Sequence, residues 1–158
     1  MKQFISKSIL AKSIALLTII TGLFSFHAPL GSDVYEIYLD HKMVLQQFAT
    51  KKEPVKTLEL DKSIADQQLD VYYSHCGKTG TKRTITIKDG QNILKQWSYP
   101  DGGNVNTRMA CKVKELLSLQ KSNDPAQVDL VYSSQEIPEG KILATLILEK
   151  NNAASAKR

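Results

Sequence analysis

The feature that most constrains the fold is a two-residue alternation of apolar and polar side chains, which returns in short segments along the chain. Successive side chains of a β-strand point to opposite faces, so this alternation predicts strands with one buried face. The clearest segment is 84–88, and the Asp89-Gly90 that follows is a strong signal for a tight hairpin turn. About eight segments carry the pattern, at residues 34–39, 43–48, 55–60, 69–74, 84–88, 93–99, 128–133 and 142–148.

One further segment, 107–120, fits both a strand and a helix. Met109, Cys111 and Val113 share one face of a strand, whereas a helical stripe would place Cys111 away from the apolar residues. We predict a short strand to Val113 and at most one short helix near 114–120. Many short strands with regularly spaced turns then predict an all-β fold, an antiparallel two-sheet β-sandwich of Ig-like or jelly-roll-like topology.

The N-terminal segment has the pattern of a secretory signal peptide. Lys2, Lys7 and Lys12 form a basic start, and the apolar run 13–26 is too short for a typical membrane span. We therefore predict a leader over residues 1–32, cleaved between 25 and 32, although no clean Ala-x-Ala site is present. An uncleaved leader would instead anchor the protein in the membrane. The remainder is predicted to form one domain, 33–150, followed by a disordered tail, 151–158.

Most of the net positive charge belongs to the predicted leader. The whole chain has a formal charge of +5, with 21 basic and 16 acidic residues. Three lysines and no acid lie in residues 1–32, which leaves 18 basic against 16 acidic residues, a net charge of +2. The basic residues are also scattered, whereas a nucleic-acid binder concentrates them on one surface. A nucleic-acid partner is therefore not expected.

Two cysteines remain in the predicted mature chain. An even number of cysteines in an exported protein favours a disulfide, so we predict a bond between Cys76 and Cys111. The alternative is a thiol nucleophile at Cys76, with His41 or His75 as base and Asp70 orienting it. No Cys-x-x-Cys or His-x-x-x-His spacing is present, so no zinc site is predicted, and no cofactor is predicted either.

The remaining candidates for a binding site are aromatic residues and oxygen-bearing loops. Tyr72, Trp97 and Tyr99 lie in predicted strands, where exposed aromatic rings bind sugars or proteins but also simply pack across the sheet. Asp101 and Asn104 lie in a Gly-containing loop and are the candidates for a calcium site, although such residues are also typical of ordinary turns.

Four stretches together resemble small exported proteins of unassigned function from Gram-negative bacteria. They are Tyr-Glu-Ile-Tyr-Leu at 35–39, Val-Tyr-Tyr-Ser-His-Cys-Gly at 71–77, Ala-Cys-Lys-Val-Lys at 110–114 and Val-Tyr-Ser-Ser at 131–134. The resemblance covers most of the predicted mature chain. It implies export, but it brings no activity and no site residues.

The pattern as a whole favours a non-enzymatic binding module of the periplasm or cell surface, whose partner is a protein or a glycan. Two alternatives stay open. One is a small hydrolase or a thiol enzyme that uses Cys76. The other is an assembly subunit whose apolar last strand, 141–149, pairs with another chain at a sheet edge.

Overall fold

A computed structural model describes residues 32–49, 53–101, 107–121 and 124–149, all of which fall in one compact unit. The predicted tail, and all of the predicted leader except Ser32, lie outside these ranges. Within them, no helix is long and apolar enough to cross a membrane.

The described residues form nine strands and two short helical segments. The strands are β1 Val34–Leu39, β2 Lys42–Phe48, β3 Lys56–Asp61, β4 Gln68–Ser74, β5 Thr84–Asp89, β6 Asn92–Ser98, β7 Met109–Lys112, β8 Ala126–Ser133 and β9 Lys141–Glu149. A 3-10 turn spans Lys62–Ile64, and the helix α1 spans Val113–Leu117.

The strands form two sheets, as predicted, but they are not all antiparallel. Sheet A has the order β2-β1-β4-β7 and is antiparallel throughout. Sheet B has the order β3-β9-β8-β5-β6 and is mixed, because β3 runs parallel to β9. The antiparallel prediction is therefore wrong for this pair. Alternation locates strands but does not give the direction in which distant strands meet. The Ig-like or jelly-roll-like topology stays a prediction.

The core lies between the two sheets, and the alternation determines which side chains enter it. In sheet A, Tyr35 and Ile37 of β1 lie opposite Tyr73 and Val71 of β4, and all four are buried. The Tyr35 hydroxyl crosses to sheet B and donates to the main-chain oxygen of Leu143 at 2.8 Å. Each fully buried Ile or Leu contributes roughly 1.5–3 kcal/mol through removal of its surface from water.

The ambiguous segment forms a strand followed by a short helix, as predicted. Met109 and Cys111 are buried on the inner face of β7, and α1 begins at Val113, slightly earlier than expected. No side chain caps the helix N-terminus. Instead, the main-chain amides of Val113 and Lys114 donate to the oxygens of Gln67 and Ala65 at 3.1 and 3.0 Å. These bonds satisfy two of the amides that a helix N-terminus leaves without an intrahelical partner.

The predicted disulfide is wrong, because the two cysteines lie at opposite ends of β4 and are not bonded to each other. Cys111 pairs with Leu69 near the start of β4, whereas Cys76 lies in the turn that follows its last residue, Ser74. Seven residues of extended chain separate Leu69 from Cys76, which corresponds to roughly 23 Å. A disulfide requires the two Cα atoms to lie within about 7 Å.

The last strand is also not an edge. β9 lies between β3 and β8, so both of its backbone edges are already paired. The proposed pairing of residues 141–149 with another chain is therefore wrong for this strand. The apolar residues on β9 serve the core instead, where Leu143, Leu146 and Leu148 are fully or almost fully buried.

Candidate functional site

The outer face of sheet A contains a cleft of about 290 Å³, lined by Glu36, Tyr38, His41, Asp70 and Tyr72. We call it the sheet A cleft. β1 and β4 are neighbours, and their register places Glu36 opposite Tyr72 and Tyr38 opposite Asp70. The intervening residues of both strands face the core, so these four side chains necessarily share the solvent-facing side. The cleft is thus a two-by-two arrangement of tyrosines and carboxylates on a rigid sheet.

The two tyrosines of the cleft contact each other edge to face. The ring centroids of Tyr38 and Tyr72 are 5.4 Å apart, and the ring planes meet at 74°. This geometry places the positive edge of one ring against the negative face of the other and stabilises aromatic pairs. Both rings remain partly exposed. The cleft therefore presents to solvent an aromatic surface whose two rings are fixed by their mutual contact.

The carboxylate of Glu36 is oriented by two neutral donors. Its Oε2 accepts from the Tyr38 hydroxyl at 2.9 Å, and its Oε1 accepts from Gln46 Nε2 at 2.8 Å. The hydrogen bond to Glu36 also raises the pKa of Tyr38. A carboxylate offers about four acceptor positions. Within the described part of the chain these are its two side-chain hydrogen bonds, so acceptor capacity is left for a ligand.

Asp70 is buried although it lies on the outer face. Its exposed fraction is 2%, its Oδ1 accepts from Gln68 Nε2 at 2.7 Å, and its Oδ2 lies 3.5 Å from the guanidinium of Arg108. A buried carboxylate with a hydrogen-bond donor and a nearby cation is held in one orientation. Asp70 therefore forms a fixed polar wall of the cleft.

His41 closes the end of the cleft from the β1–β2 turn. Asp40 and His41 have positive φ angles of 47° and 71°, the conformation of a two-residue hairpin turn. Asp and His are among the residues that tolerate this region better than most. The main-chain amide of Asp40 also donates to the oxygen of Gln68 at 2.9 Å, which attaches the turn to β4.

Of the three aromatic candidates, only Tyr72 lies in the cleft. Tyr99 points inward, where its hydroxyl donates to the main-chain oxygen of Ala110 at 2.7 Å and contacts Cys111 Sγ at 3.3 Å. Trp97 packs against the core of sheet B, with Lys95 Nζ 5.0 Å from its ring centroid. The sequence does not single out Glu36 or Tyr38 for a ligand site, and it offers His41 only as a candidate base beside Cys76, because nothing local indicates that β1 pairs with β4.

A larger depression, of about 500 Å³, lies between the 3-10 turn and α1. Its lining residues are Lys62, Ala65, Asp66, Lys114, Leu117 and Ser118. None of these six side chains is aromatic. The smaller sheet A cleft is the better candidate, because its side chains are oriented by one another.

A second polar cluster joins the two sheets around His75. His75 Nδ1 lies 3.1 Å from Asp33 Oδ2, and Nε2 lies 3.0 Å from the Tyr132 hydroxyl and 3.2 Å from Ser134 Oγ. Tyr73 stacks on Tyr132, with centroids 4.1 Å apart, and its hydroxyl also donates to Asp33 at 3.0 Å. Asp33, His75 and Ser134 are thus linked carboxylate to imidazole to hydroxyl, as in the catalytic triad of acyl-transfer enzymes.

The surroundings of this cluster leave no room for a substrate at Ser134. A Cβ atom placed on Gly80 would lie 2.8 Å from His75 Nε2 and 2.5 Å from the Tyr132 hydroxyl oxygen, so Gly80 lies directly against the Nε2 side of the imidazole. Ser134 is also only 5% exposed. We therefore interpret the cluster as a hydrogen-bond network that holds β1, β4 and β8 together.

Cys76 follows His75 in a tight turn, in which Cys76 and Gly77 both have positive φ angles. Its Sγ lies 3.6 Å from Asp33 Oδ1. Desolvation and the neighbouring Asp33 carboxylate raise the pKa of the Cys76 thiol. A catalytic thiol requires the opposite change, because the thiolate is the nucleophile. His75 bonds Asp33, Tyr132 and Ser134, so the predicted roles of Asp70 and His75 beside this thiol gain no support.

The calcium candidates are only partly described. Asp101 accepts from the main-chain amide of Lys82 at 2.6 Å, which is turn chemistry, and Asn104 lies outside the described residues. Among the residues that the structure describes, no three acidic, histidine or cysteine side chains gather as metal ligands. The calcium site stays a prediction.

Comparison with known proteins finds no family model that matches the chain and no curated protein similar to it. The geometry of the sheet A cleft is therefore the feature that points to a function.

Proposed function

We propose that this protein is a non-enzymatic binding module of the periplasm or cell surface, and that it binds a glycan in the sheet A cleft. Export is supported by the basic start and the short apolar run of residues 1–32. A glycan is supported by the combination of exposed tyrosine rings with an oriented carboxylate. Sugar rings present CH faces that pack on aromatic rings and hydroxyls that donate to carboxylates.

The observation that carries the proposal is the arrangement around Glu36. Its carboxylate is held by Tyr38 and Gln46, and it borders the partly exposed Tyr38–Tyr72 pair. A ligand bound here would contact the apolar rings of Tyr38 and Tyr72 and could donate hydrogen bonds to the remaining acceptor positions of Glu36. Such a surface is preorganised, so little conformational freedom is lost on binding.

The thiol enzyme has weaker support. The pKa of Cys76 is raised, which favours the unreactive thiol. The Asp33-His75-Ser134 network has the order of a hydrolase triad, but Gly80 covers it. A serine-reactive fluorophosphonate probe tests this alternative directly, since covalent labelling of Ser134 would make the hydrolase the leading function.

The test of the glycan proposal is a titration with oligosaccharides of N-acetylglucosamine and of neutral hexoses, followed by amide chemical shifts. We expect shifts on β1 and β4 around Glu36 and Tyr72. Tyr72→Ala should weaken binding at least about tenfold, because it removes the ring surface, whereas Tyr72→Phe should retain most of the affinity. Glu36→Gln should also weaken binding, since it exchanges an acceptor oxygen for a donor amide.

The matched control is Ile93→Ala, which changes an exposed apolar residue on β6 of the other sheet. Its affinity should equal that of the unchanged protein. Equal affinities for Tyr72→Ala and the control, or no response to any saccharide, would contradict the glycan proposal.

A further inference from the structure

The four edge strands of the two sheets differ in how they are protected from pairing with another chain. Exposed edges usually carry charges, are very short or are covered, because an open edge is a template for a further strand. β7 is only four residues long, β3 contains Glu59, and β6 contains Lys95 near its middle. Between Met43 and Phe48, β2 has no charged residue, and its one irregularity is the register shift at Val44.

The segment from Met43 to Phe48 also exposes apolar side chains. Met43 is 44% exposed, Val44 39% and Phe48 54%. They account for three of the six large apolar residues that are exposed on the described surface. Apolar side chains gathered on a stretch of edge strand without charged residues are typical of an interaction surface.

The register of β2 limits how a further strand could pair with it. Gln46 and Phe48 lie opposite Glu36 and Val34, so their side chains lie on the outer face of sheet A. The pairing with β1 is interrupted at Val44, where the register shifts. Regular pairing with β1 therefore runs from Leu45 to Phe48, and Val44 is the extra residue at the shift. Gln46 is the centre of the five residues from Val44 to Phe48.

We propose that β2 pairs antiparallel with β2 of a second copy of this chain, with the two-fold axis at Gln46. Phe48 then lies across from the partner's Val44, and Leu45 across from the partner's Gln47. The two four-stranded sheets A become one continuous eight-stranded sheet. This self-association is independent of whether the sheet A cleft binds a glycan.

Three features of β2 favour a second copy as the occupant. The proposed register forms the aromatic–β-branched pair of Phe48 and Val44 twice, and such cross-strand pairs stabilise sheets. Lys42, the one charged residue of β2, falls outside the paired segment, so no like charges oppose each other. A shift of the axis to Leu45 would instead place Phe48 opposite Lys42. Phe48 faces outward, whereas Lys42 pairs with the inward-facing Leu39 of β1, so the two opposed side chains would lie on different faces of the sheet.

The decisive experiment is a cysteine at the proposed axis, introduced as Gln46→Cys in a Cys76→Ser background. Residues opposite each other in an antiparallel pair have Cα atoms about 4.5–5.5 Å apart, which suits a disulfide. We expect this variant to form a covalent dimer under mild oxidation, seen as a doubled intact mass without reductant. The matched control is Ile93→Cys in the same background, an exposed position on the charged edge β6, which should remain monomeric.

Sedimentation equilibrium supplies the non-covalent test. The unchanged protein should be a dimer, and Phe48→Lys should raise the dimer dissociation constant at least about tenfold by placing a charge on the edge. Circular dichroism identical to the unchanged protein shows that this exposed substitution leaves the fold intact. A strictly monomeric protein up to its solubility limit overturns the proposal, as does crosslinking of Ile93→Cys to the same extent as Gln46→Cys.

Discussion

Among the described residues, Arg83 is the largest fully buried side chain, and its guanidinium binds the main chain at two points between β6 and β7. Arg83 lies two residues before the buried Ile85 and four before the buried Ile87, so its side chain is on the same inward face of the strand. Its two terminal nitrogens donate to the main-chain oxygens of Thr107 at 2.8 Å and Pro100 at 2.6 Å. Desolvation lowers its pKa, and within the described ranges its Nε has no hydrogen-bond partner.

Replacing Arg83 by Met should reduce the free energy of unfolding by about 2 kcal/mol. The apolar part of the side chain is kept, but two charge-assisted hydrogen bonds to the segment ends are lost. The measurement is urea unfolding. Arg108→Met is the matched control, because the Arg108 side chain is 47% exposed and should contribute under about 1 kcal/mol. Equal losses for the two variants would contradict a structural role for the buried guanidinium.

Glu136 makes part of the stability depend on acid pH. Partial desolvation opposes ionisation, but hydrogen bonds from Ser134, from the main chain and from Thr81 lower the pKa of Glu136 to about 2 from its ordinary 4.5. A lowered pKa in the folded state stabilises the protein above the ordinary value. This stabilisation is lost as the pH falls from about 4.5 to about 2.

We therefore expect the stability difference between the unchanged protein and Glu136→Gln to be largest at neutral pH and to vanish near pH 2. Glu136 is exposed, so solvent screening keeps this difference small. Urea unfolding across this pH range measures it. Glu139→Gln, which removes an exposed carboxylate from the same loop, is the matched control. A difference that stays constant with pH would show that the Glu136 hydrogen bonds do not favour its charged form.

At the scale of elements, the separation of the cysteines predicts different reactivities in β7 and in the turn after β4. Cys111 is 1% exposed, and mainly desolvation raises its pKa to about 11, whereas Cys76 is exposed. Without reductant, iodoacetamide should modify Cys76 in the folded protein, slowly because the pKa of its thiol is also raised. Unfolding should then allow a second adduct at Cys111.

Intact mass with and without denaturant measures both adducts. A Cys76→Ser variant should take up none while folded and one when unfolded, which assigns the two sites. If both cysteines resist alkylation in denaturant until a reductant is added, then Cys76 and Cys111 form a disulfide. That result would contradict their separation in the structure.

The strands themselves could be predicted closely from the sequence, and the reason is local. Each carries its own alternation, as in Thr84–Asp89, and a tight turn such as Asp89-Gly90 joins neighbours along the chain. The helix α1 was also expected, because its apolar residues follow the helical period directly after a strand. These signals depend only on residues within a few positions of one another.

The candidate site could be predicted only in part, because it depends on the order of strands across each sheet. Tyr72 is a candidate from the sequence because it is an aromatic residue in a predicted strand, but its relation to Glu36 follows from the pairing of β1 with β4, which are not consecutive in the chain. Asp33 and His75 meet for the same reason. No local pattern indicates such pairings, since many strand orders satisfy the same alternation.

At the scale of the whole molecule, the position of β9 determines when the fold can be completed. β9 is the last described strand, yet it joins β3, near the other end of the described chain, to β8. Until residues 141–149 are available, β3 has no partner in sheet B and the core lacks Leu143, Leu146 and Leu148. Contacts between such distant segments form slowly. A newly made chain therefore cannot join β3 to sheet B or fill the core until this strand has been synthesised, so the final cooperative folding step follows translation of residues 141–149.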